Sequence, residues 1–390
     1  MRIHPRYAVA AGTVFDGSDT LKDGAVIVED RLIAWVGPRS ELPSSIVTHA
    51  LPHEAWLAPG FIDVQVNGGG DVLFNADPTQ ATLFRIAAAH RNFGTTSLLA
   101  TLISDTRETM GAALEAVRVT PSESGILGIH FEGPFLSPQK PGVHDPTKFR
   151  APCAEDIELL TSLSGRTMLV TLAPEVVPLS FIAALAKSGV RVSLGHSMAT
   201  YAETKRALES GLTGFTHLFN AMRPLSSREP GPIAAALEST NAWFGMIVDG
   251  AHVDPAMLQL ALRGRAQPIL VTDSMPPVGG RIPLFPLNGE MIEARGSSCW
   301  RRDGVLAGTA LDMASAVRNS VRLLGMPLAT ALSLASTEPA RFLGVDDQLG
   351  RLEPAYRADM VALDPVEVQV LGTWLAGSWQ ASEPIAMSLS

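Results

Sequence analysis

The chain of 390 residues has little of several features that would assign it to a specialised class. Its only cysteines, Cys153 and Cys299, are too few for a disulfide framework and lack metal-ligand spacing, so we expect a reducing, cytoplasmic compartment. A formal net charge of -9 argues against binding nucleic acid or an anionic membrane. No segment approaches the roughly 18 apolar residues of a membrane-spanning helix. With 46% hydrophobic residues, the composition is that of a globular protein with a large core.

Both ends of the sequence have the alternating pattern of short strands. The basic start followed by the apolar run at 7–15 is interpreted as a strand rather than a signal peptide, because it leads directly into an Asp-Gly turn. Residues 24–37 predict a hairpin about Glu29 and Asp30. We predict that residues 1–55 and 346–390 together build one small β-sandwich domain.

The middle of the chain, residues 56–345, alternates apolar runs with amphipathic helical segments. Eight such units predict an α/β fold, a (β/α)8 TIM barrel with its active site at the carboxyl ends of the strands. The proline-rich segment 135–146 is predicted to be a loop over the barrel mouth, and residues 280–306 a strand-like insertion. Strands are predicted at 61–67, 95–101, 126–132, 168–173, 191–196, 214–217, 244–249 and 268–273, and helices at 81–93, 107–117, 154–163, 179–187, 199–209, 255–263, 311–324 and 328–335.

Three metal-binding side chains end predicted strands. His196 and His217 end the fifth and sixth strands, and Glu132 ends the third. A single histidine at a strand end is more often structural. Three potential ligands at the same end of neighbouring strands favour a metal site in which one coordination position stays open for water. His130, two residues before Glu132, is interpreted as a hydrogen-bonded core residue. Asp273 ends the eighth strand and either caps the following segment or acts as an acid and base beside the metal.

Eight short motifs occur in an order that resembles the N-acetylglucosamine-6-phosphate deacetylase family of the amidohydrolase superfamily. The resemblance covers essentially the whole chain, and the ordered set is more specific than any single motif. The motifs are Ala58-Pro59-Gly60-Phe61-Ile62-Asp63, His130-Phe131-Glu132-Gly133-Pro134-Phe135, Gly195-His196-Ser197, Thr216-His217-Leu218-Phe219-Asn220-Ala221-Met222, Arg228-Glu229-Pro230-Gly231, Asp249-Gly250-Ala251-His252, Val271-Thr272-Asp273 and Leu306-Ala307-Gly308.

The resemblance implies hydrolysis of the acetamido group of a small amino-sugar phosphate. It implies that Glu132, His196 and His217 hold one divalent metal ion, zinc foremost with iron, manganese or cobalt as alternatives, which activates a water molecule. Asp273 would take a proton from that water and deliver it to the departing amine. His144, otherwise an ordinary loop residue, would polarise the substrate carbonyl. The family also implies a homodimer whose neighbouring subunit reaches the phosphate.

The same resemblance assigns a substrate-binding set. Arg228 and His252 match the phosphate-recognition positions, although Arg228 could instead be a surface arginine paired with Glu229. The remaining members match positions that line the sugar site; they are Val143, Asn220, Ala221, Asp249, Gly250, Ala251, Leu306, Ala307 and Gly308.

The sequence departs from the family pattern at two places, and it leaves three alternative functions open. Many amidohydrolases have a His-x-His pair at the end of the first strand, whereas this chain has Gln65 and Asn67, so we predict a single tight metal site. Arg223 stands where a smaller residue is expected. The alternative functions are deacetylation of the galactosamine epimer, hydrolysis of a cyclic amide or dipeptide on the same scaffold, and a non-catalytic relative.

Overall fold

The computed structural model of the chain describes residues 6–381, and its first part is a run of strands. The turn between the second and third strands contains Asp30, whose φ of 57° lies in the left-handed region that such a turn requires. This confirms the predicted hairpin. The strands of this part are β1 (Tyr7–Phe15), β2 (Thr20–Glu29), β3 (Leu32–Pro38), β4 (Val47–Ala50) and β5 (Trp56–Pro59).

Eight parallel strands then form the predicted barrel. They follow one another in chain order around the sheet, and a bridge between Val66 and Ser274 links the first strand to the segment after the last one. The barrel strands are β6 (Phe61–Val66), β9 (Thr95–Ile103), β10 (Ile126–Glu132), β11 (Thr167–Leu172), β12 (Arg191–Leu194), β13 (Gly214–Phe215), β14 (Trp243–Met246) and β15 (Gln267–Leu270), and a small hairpin of β7 (Gly68–Gly69) and β8 (Val72–Leu73) follows β6.

The last four barrel strands are shorter than predicted at their carboxyl ends. His196, His217 and Asp273 were predicted as strand residues, but each has a positive φ, which ends the extended conformation before it. The prediction was therefore right about the strands and wrong about their last two or three residues.

Helices pack around the barrel and begin at threonine or aspartate caps in several cases. Thr200, for example, caps the helix Tyr201–Glu209 in a reciprocal pair with Glu203. The segment 135–146 contains no α-helix or strand, as its prolines predict, and a single 3-10 turn, Pro146–Lys148, begins at its last residue. The helices are α1 (Gln80–Arg91), α2 (Arg107–Val119), α3 (Ala154–Leu160), α4 (Leu179–Lys187), α5 (Tyr201–Glu209), α6 (Gly231–Glu238), α7 (Pro255–Ala261), α8 (Met313–Leu324), α9 (Leu328–Ala335) and α10 (Thr337–Leu343).

The predicted insertion is a four-stranded antiparallel sheet beside the barrel mouth. Its inner side chains Phe285 and Leu287 share a core with Ile103 and Met275 at the ends of barrel strands. Asn288, in the turn between the first two strands, donates to the carbonyl of Val143 at 2.8 Å and so holds the proline-rich loop. The strands are β16 (Leu284–Leu287), β17 (Glu290–Arg295), β18 (Ser298–Trp300) and β19 (Leu306–Thr309).

The carboxyl-terminal strands return to the sheet that the first strands began. They are β20 (Met360–Leu363), β21 (Val370–Leu375) and β22 (Ser378–Ala381), and the sheet order is β22-β21-β20-β5-β1-β2-β3 with β4 also on β1. Val9, Leu57 and Met360 lie in one core, so both termini build one β unit, as predicted. The division into 1–55, 56–345 and 346–390 stays a prediction, and β5, just after residue 55, pairs within the terminal sheet.

Within residues 6–381, no helix combines the length and the apolar character that a membrane-spanning helix needs.

Candidate active site

The residues that follow the barrel strands turn sharply into the barrel mouth. His196, His217 and Asp273 have φ values of 48°, 35° and 51°, in the left-handed region that residues other than glycine rarely adopt. Backbone hydrogen bonds to neighbouring segments hold two of these turns: the N–H of Ser197 donates to the carbonyl of Ala221 in the loop after β13, and that of Leu218 donates to the carbonyl of Gly245 in β14. The strained turns direct three polar side chains towards one point.

Glu132, His196 and His217 meet at that point. Glu132 Oε1 lies 2.9 Å from His217 Nε2 and 3.1 Å from His196 Nε2, and the two Nε2 atoms are 3.2 Å apart. The three side chains are buried, with residue exposures of 2–5%. They are the one cluster of at least three His, Cys, Asp or Glu ligands found within residues 6–381. Two facing imidazole nitrogens and a carboxylate are a ligand set that suits a divalent metal ion.

The surroundings prepare these side chains for a metal ion. His196 Nδ1 lies 2.8 Å from the carbonyl oxygen of Lys140, so Nδ1–H donates to it and Nε2 keeps its lone pair for a metal. Although burial opposes the charge of Glu132, its hydrogen bonds with the two histidines hold the pKa of this carboxyl well below its usual value. An ionised carboxylate and an available Nε2 fit the metal site that the sequence predicts.

Asp273 lies beside this cluster and lines the same cavity. Burial first, and then the nearby charge of Glu132, raise the pKa of Asp273 to about 6. Its Oδ1 accepts hydrogen bonds from Asn67 Nδ2 at 2.8 Å and from Gln65 Nε2 at 3.2 Å. A carboxyl whose pKa lies near neutrality can both accept and release a proton under working conditions.

His144 reaches the cluster from the proline-rich loop. Its Nδ1 accepts from the backbone N–H of Ser104 at 3.2 Å, which leaves the proton of the neutral ring on Nε2. Nε2 lies 4.0 Å from Glu132 Oε1, at the centre of the site. Burial, followed by the charge of His196, lowers the pKa of His144 to about 3, so the ring is a neutral hydrogen-bond donor.

A cavity of about 330 Å³ opens above these side chains. Six of the predicted substrate-binding residues line it together with the metal cluster, Asp273 and His144; they are Val143, Asn220, Ala221, His252, Leu306 and Gly308. Ile103 and Met275 line it too and supply apolar surface from the core under the insertion. The cavity therefore has a polar floor and a partly apolar wall.

Five predicted substrate-binding residues do not line this cavity. Gly250 and Ala251 are exposed, and Ala307 is buried in the core under the insertion. Arg228 is exposed on the loop after β13, and one chain does not bring it to the cavity. The alternative ion pair between Arg228 and Glu229 is not observed in the described residues. Glu229 Oε1 instead accepts from the backbone N–H groups of Tyr201 and Gly231.

Asp249, the fifth of these residues, supports His252. Its Oδ2 lies 2.7 Å from His252 Nδ1 and accepts from Ser298 Oγ at 2.8 Å. Burial disfavours its charge, but the hydrogen bonds from His252 and from backbone N–H groups lower the pKa of Asp249 to about 2. The ionised carboxylate fixes the ring, and His252 reaches the cavity that Asp249 does not touch.

Sequence reasoning missed several supporting groups. Ser104, one residue beyond β9, orients His144, and its position just after a barrel strand was the available signal. The backbone carbonyl of Lys140, which orients His196, could not be predicted, because any residue type supplies the same carbonyl group. Arg223 has a structural explanation, because its Nε donates to the carbonyl of Met198 at 2.8 Å and joins the loops after β12 and β13.

The interpretation of His130 as a hydrogen-bonded core residue is confirmed. Its Nδ1 lies 3.0 Å from the carbonyl oxygen of Val64, and its Nε2 lies 2.7 Å from Thr171 Oγ1. Both ring nitrogens are therefore satisfied inside the barrel, below the cavity.

A (β/α)8 barrel with two histidines, a glutamate and an aspartate around one point at its strand ends defines the class of metal-dependent barrel hydrolases. Residues 56–385 match the model of the amidohydrolase family, and residues 6–52 match that of the NagA composite domain. The chain belongs to the amidohydrolase family, which confirms the resemblance of its motifs.

Its relatives share nearly its whole length. The chain is 40% identical over 378 residues, 93% of this chain and 95% of the relative, to an N-acetylgalactosamine-6-phosphate deacetylase from Shewanella sp. (strain ANA-3). It is 34% identical over 381 residues, 96% and 99% of the two chains, to an N-acetylglucosamine-6-phosphate deacetylase from Haemophilus influenzae. The crystal structure of N-acetylglucosamine-6-phosphate deacetylase from Pasteurella multocida is similar with a TM-score of 0.91 at 34% identity, covering 96% of this chain and 100% of that chain.

Proposed function

We propose that this chain hydrolyses N-acetylglucosamine-6-phosphate to glucosamine-6-phosphate and acetate. The observation that carries the proposal is the convergence of Glu132, His196, His217, Asp273 and His144 on one cavity. Relatives of almost the same length that are named as deacetylases of amino-sugar phosphates support it.

Glu132, His196 and His217 hold one divalent metal ion in this proposal, with zinc as the expected ion and iron, manganese or cobalt as alternatives. Such an ion supplies Lewis acidity towards water and the carbonyl oxygen. The ligand set has the nitrogen and oxygen donors that zinc accepts, and it leaves room for a further ligand.

Asp273 carries the proton in the proposed reaction. As a water oxygen bonds to the carbonyl carbon, a proton of that water moves to the Asp273 carboxylate. The same proton then passes to the amide nitrogen as the C–N bond breaks, because an amine leaves poorly without it. The raised pKa of Asp273, about 6, suits a group that must do both.

His144 stabilises the negative charge that develops on the carbonyl oxygen. Its Nε2–H is fixed by the hydrogen bond that Ser104 donates to Nδ1, so no reorientation is needed during the reaction. Because the ring is neutral, it donates without placing a second positive charge beside the metal site.

His252 and Arg228 recognise the phosphate in this proposal. His252 lines the cavity and is oriented by Asp249, whereas Arg228 is exposed outside it. We propose that the chain acts as a cytoplasmic homodimer in which Arg228 serves the cavity of the neighbouring subunit, as the resemblance implies. Val143, Asn220, Ala221, Leu306 and Gly308 then surround the sugar, with Gly250, Ala251 and Ala307 at its margin.

The galactosamine epimer is a second candidate substrate. The relative from Shewanella, which is 40% identical, is named as a deacetylase of N-acetylgalactosamine-6-phosphate. The two substrates differ at one hydroxyl group, and the catalytic residues would act identically on both.

The test measures acetate release by the metal-loaded protein from four compounds: both N-acetylhexosamine-6-phosphates and both unphosphorylated sugars. We expect fast turnover of N-acetylglucosamine-6-phosphate and slow turnover of the unphosphorylated sugars. Faster turnover of the galactosamine substrate would select the second candidate. No turnover of any of the four would refute both.

A further inference from the structure

Two amide side chains, those of Gln65 and Asn67, stand at the end of β6. Gln65 and Asn67 are two residues apart, so their side chains point to the same side of the strand. Each is 1% exposed, and Asn67 also lines the catalytic cavity. Buried amide nitrogens need acceptors, and both find them in carboxylates, whereas Asn67 Oδ1 has no partner within residues 6–381.

Both amides donate to the same oxygen of Asp273. Asn67 Nδ2 lies 2.8 Å from Oδ1, and Gln65 Nε2 lies 3.2 Å from it. Within residues 6–381, Oδ2 of Asp273 accepts no hydrogen bond. A carboxylate only accepts and an amide nitrogen only donates, so these contacts fix the orientation of both amides.

Gln65 has a second contact that joins Asp273 to the metal cluster. The same Nε2 lies 3.2 Å from Glu132 Oε2, the oxygen that does not face the histidines. A single amide group therefore bridges the two carboxylates, which would otherwise repel each other in a buried site. The bridge also sets the distance between them.

We propose that Gln65 and Asn67 are positioning residues that hold Oδ1 of Asp273 and leave Oδ2 as the oxygen that carries the proton. This inference rests on the proposed function. As the new C–O bond forms, a water proton moves to Oδ2, and it moves from Oδ2 to the amide nitrogen as the C–N bond breaks. Without the two donors, the carboxylate turns about its Cβ–Cγ bond and presents either oxygen.

The test compares Asn67→Ala with wild type in steady-state kinetics, metal content and thermal unfolding. We expect kcat to fall by about 10- to 100-fold with KM within about twofold, because only the proton transfer loses its orientation. Metal content stays at the wild-type ratio, since Asn67 touches no ligand of the cluster. Asn75→Ala is the matched control: this amide donates to the carbonyl of Ile103 at 3.1 Å near the same mouth but not to Asp273, and kcat should stay unchanged.

A double-mutant cycle separates positioning from direct action. In an Asp273→Asn background, Asn67→Ala should have no further effect on the residual turnover, because Asn67 acts through Asp273. Additive losses would overturn the proposal, as would a loss of metal or an unchanged kcat in Asn67→Ala. If the alanine variant fails to fold, Asn67→Asp replaces it in the test. This variant keeps the shape of the side chain but puts a negative charge beside the Asp273 carboxylate, so its kcat should fall at least as far.

A crystal structure of each variant gives a readout that needs no substrate. In Asn67→Ala the Asp273 carboxylate should be rotated or should occupy two orientations. An unchanged orientation would refute the positioning role. Failure of wild-type turnover would instead refute the proposed function, so the two failures are distinguishable.

Discussion

The two sides of the cavity are built in different ways. The metal side consists of buried residues at or just after barrel strands together with His144 from the proline-rich loop, and each of them has a hydrogen-bonding partner within the same chain. On the side proposed to bind the phosphate, His252 is held by Asp249, whereas Arg228, Gly250 and Ala251 lie exposed on loops. In the proposed function the chemistry is therefore complete in one chain, whereas phosphate recognition draws on Arg228 of a neighbouring subunit.

This difference follows from what each side must do. Proton transfer and metal binding tolerate positional errors of only a fraction of an ångström, so the side chains on this side need buried, hydrogen-bonded surroundings that hold them in place. Phosphate recognition uses longer-range charge and tolerates mobile loops. Mutations on the metal side should then affect kcat, and those on the phosphate side should affect KM.

The largest effect is expected for Asp273→Asn on the metal side. Turnover should fall by about 10³-fold or more, because the amide cannot accept the proton from water. Metal content and substrate affinity should stay near those of wild type, measured by elemental analysis and by equilibrium binding. Asp254→Asn is the control, because Asp254 only caps α7, and its turnover should be normal. Normal turnover of Asp273→Asn would remove this residue from the mechanism.

Loss of a metal ligand should have the next largest effect. Glu132→Gln removes the charge that pairs with the two imidazoles, so metal content should fall and turnover should drop by at least about 100-fold. Added zinc should restore part of the turnover of the variant, and chelation should abolish that of wild type. A variant that retains stoichiometric metal after dialysis would show that the cluster is not the metal site.

Arg228→Ala tests the phosphate side. KM for the phosphorylated sugar should rise by about tenfold or more, because a hydrogen bond between charged groups contributes about 1.5 to 3 kcal/mol. KM for the unphosphorylated sugar and kcat should change little. The exposed Arg263, which follows α7, is a matched control. Equal changes for both sugars would mean that other residues hold the phosphate.

The smallest effect on turnover is expected at the base of the loop that carries His144. Asp156 is buried and accepts hydrogen bonds from Arg150 Nη2 at 2.6 Å and Arg107 Nη2 at 3.2 Å. Asp156→Ala should lower the free energy of unfolding by about 2 kcal/mol, measured by denaturant titration, with kcat reduced only a few-fold. Glu123→Ala, which removes an exposed pair with Arg31, should cost less than about 1 kcal/mol. If the two variants lost the same free energy of unfolding, the buried ion pairs of Asp156 would contribute no more than an exposed pair, which would contradict this prediction.

The order of motifs and periodic patterns was enough to predict the barrel and the metal cluster. Eight apolar runs indicated the strands, and Glu132, His196 and His217 could be grouped because parallel strands end at one edge. The strand ends were less predictable, because the left-handed φ at His196, His217 and Asp273 depends on hydrogen bonds with neighbouring segments of the barrel. Those contacts join segments far apart in the chain, so the local conformational propensities of the residues do not predict them.

What the sequence determined by itself was the fold class, the family and the set of ionisable residues available for chemistry, because these depend on periodicity and residue type. Only the tertiary structure decided how each residue is used. It gave His144 its neutral donor form through Ser104, made Asp249 the support of His252, and joined Gln65 and Asn67 to Asp273. These roles depend on contacts between segments far apart in the chain, and burial makes each contact strong enough to fix a proton or an orientation.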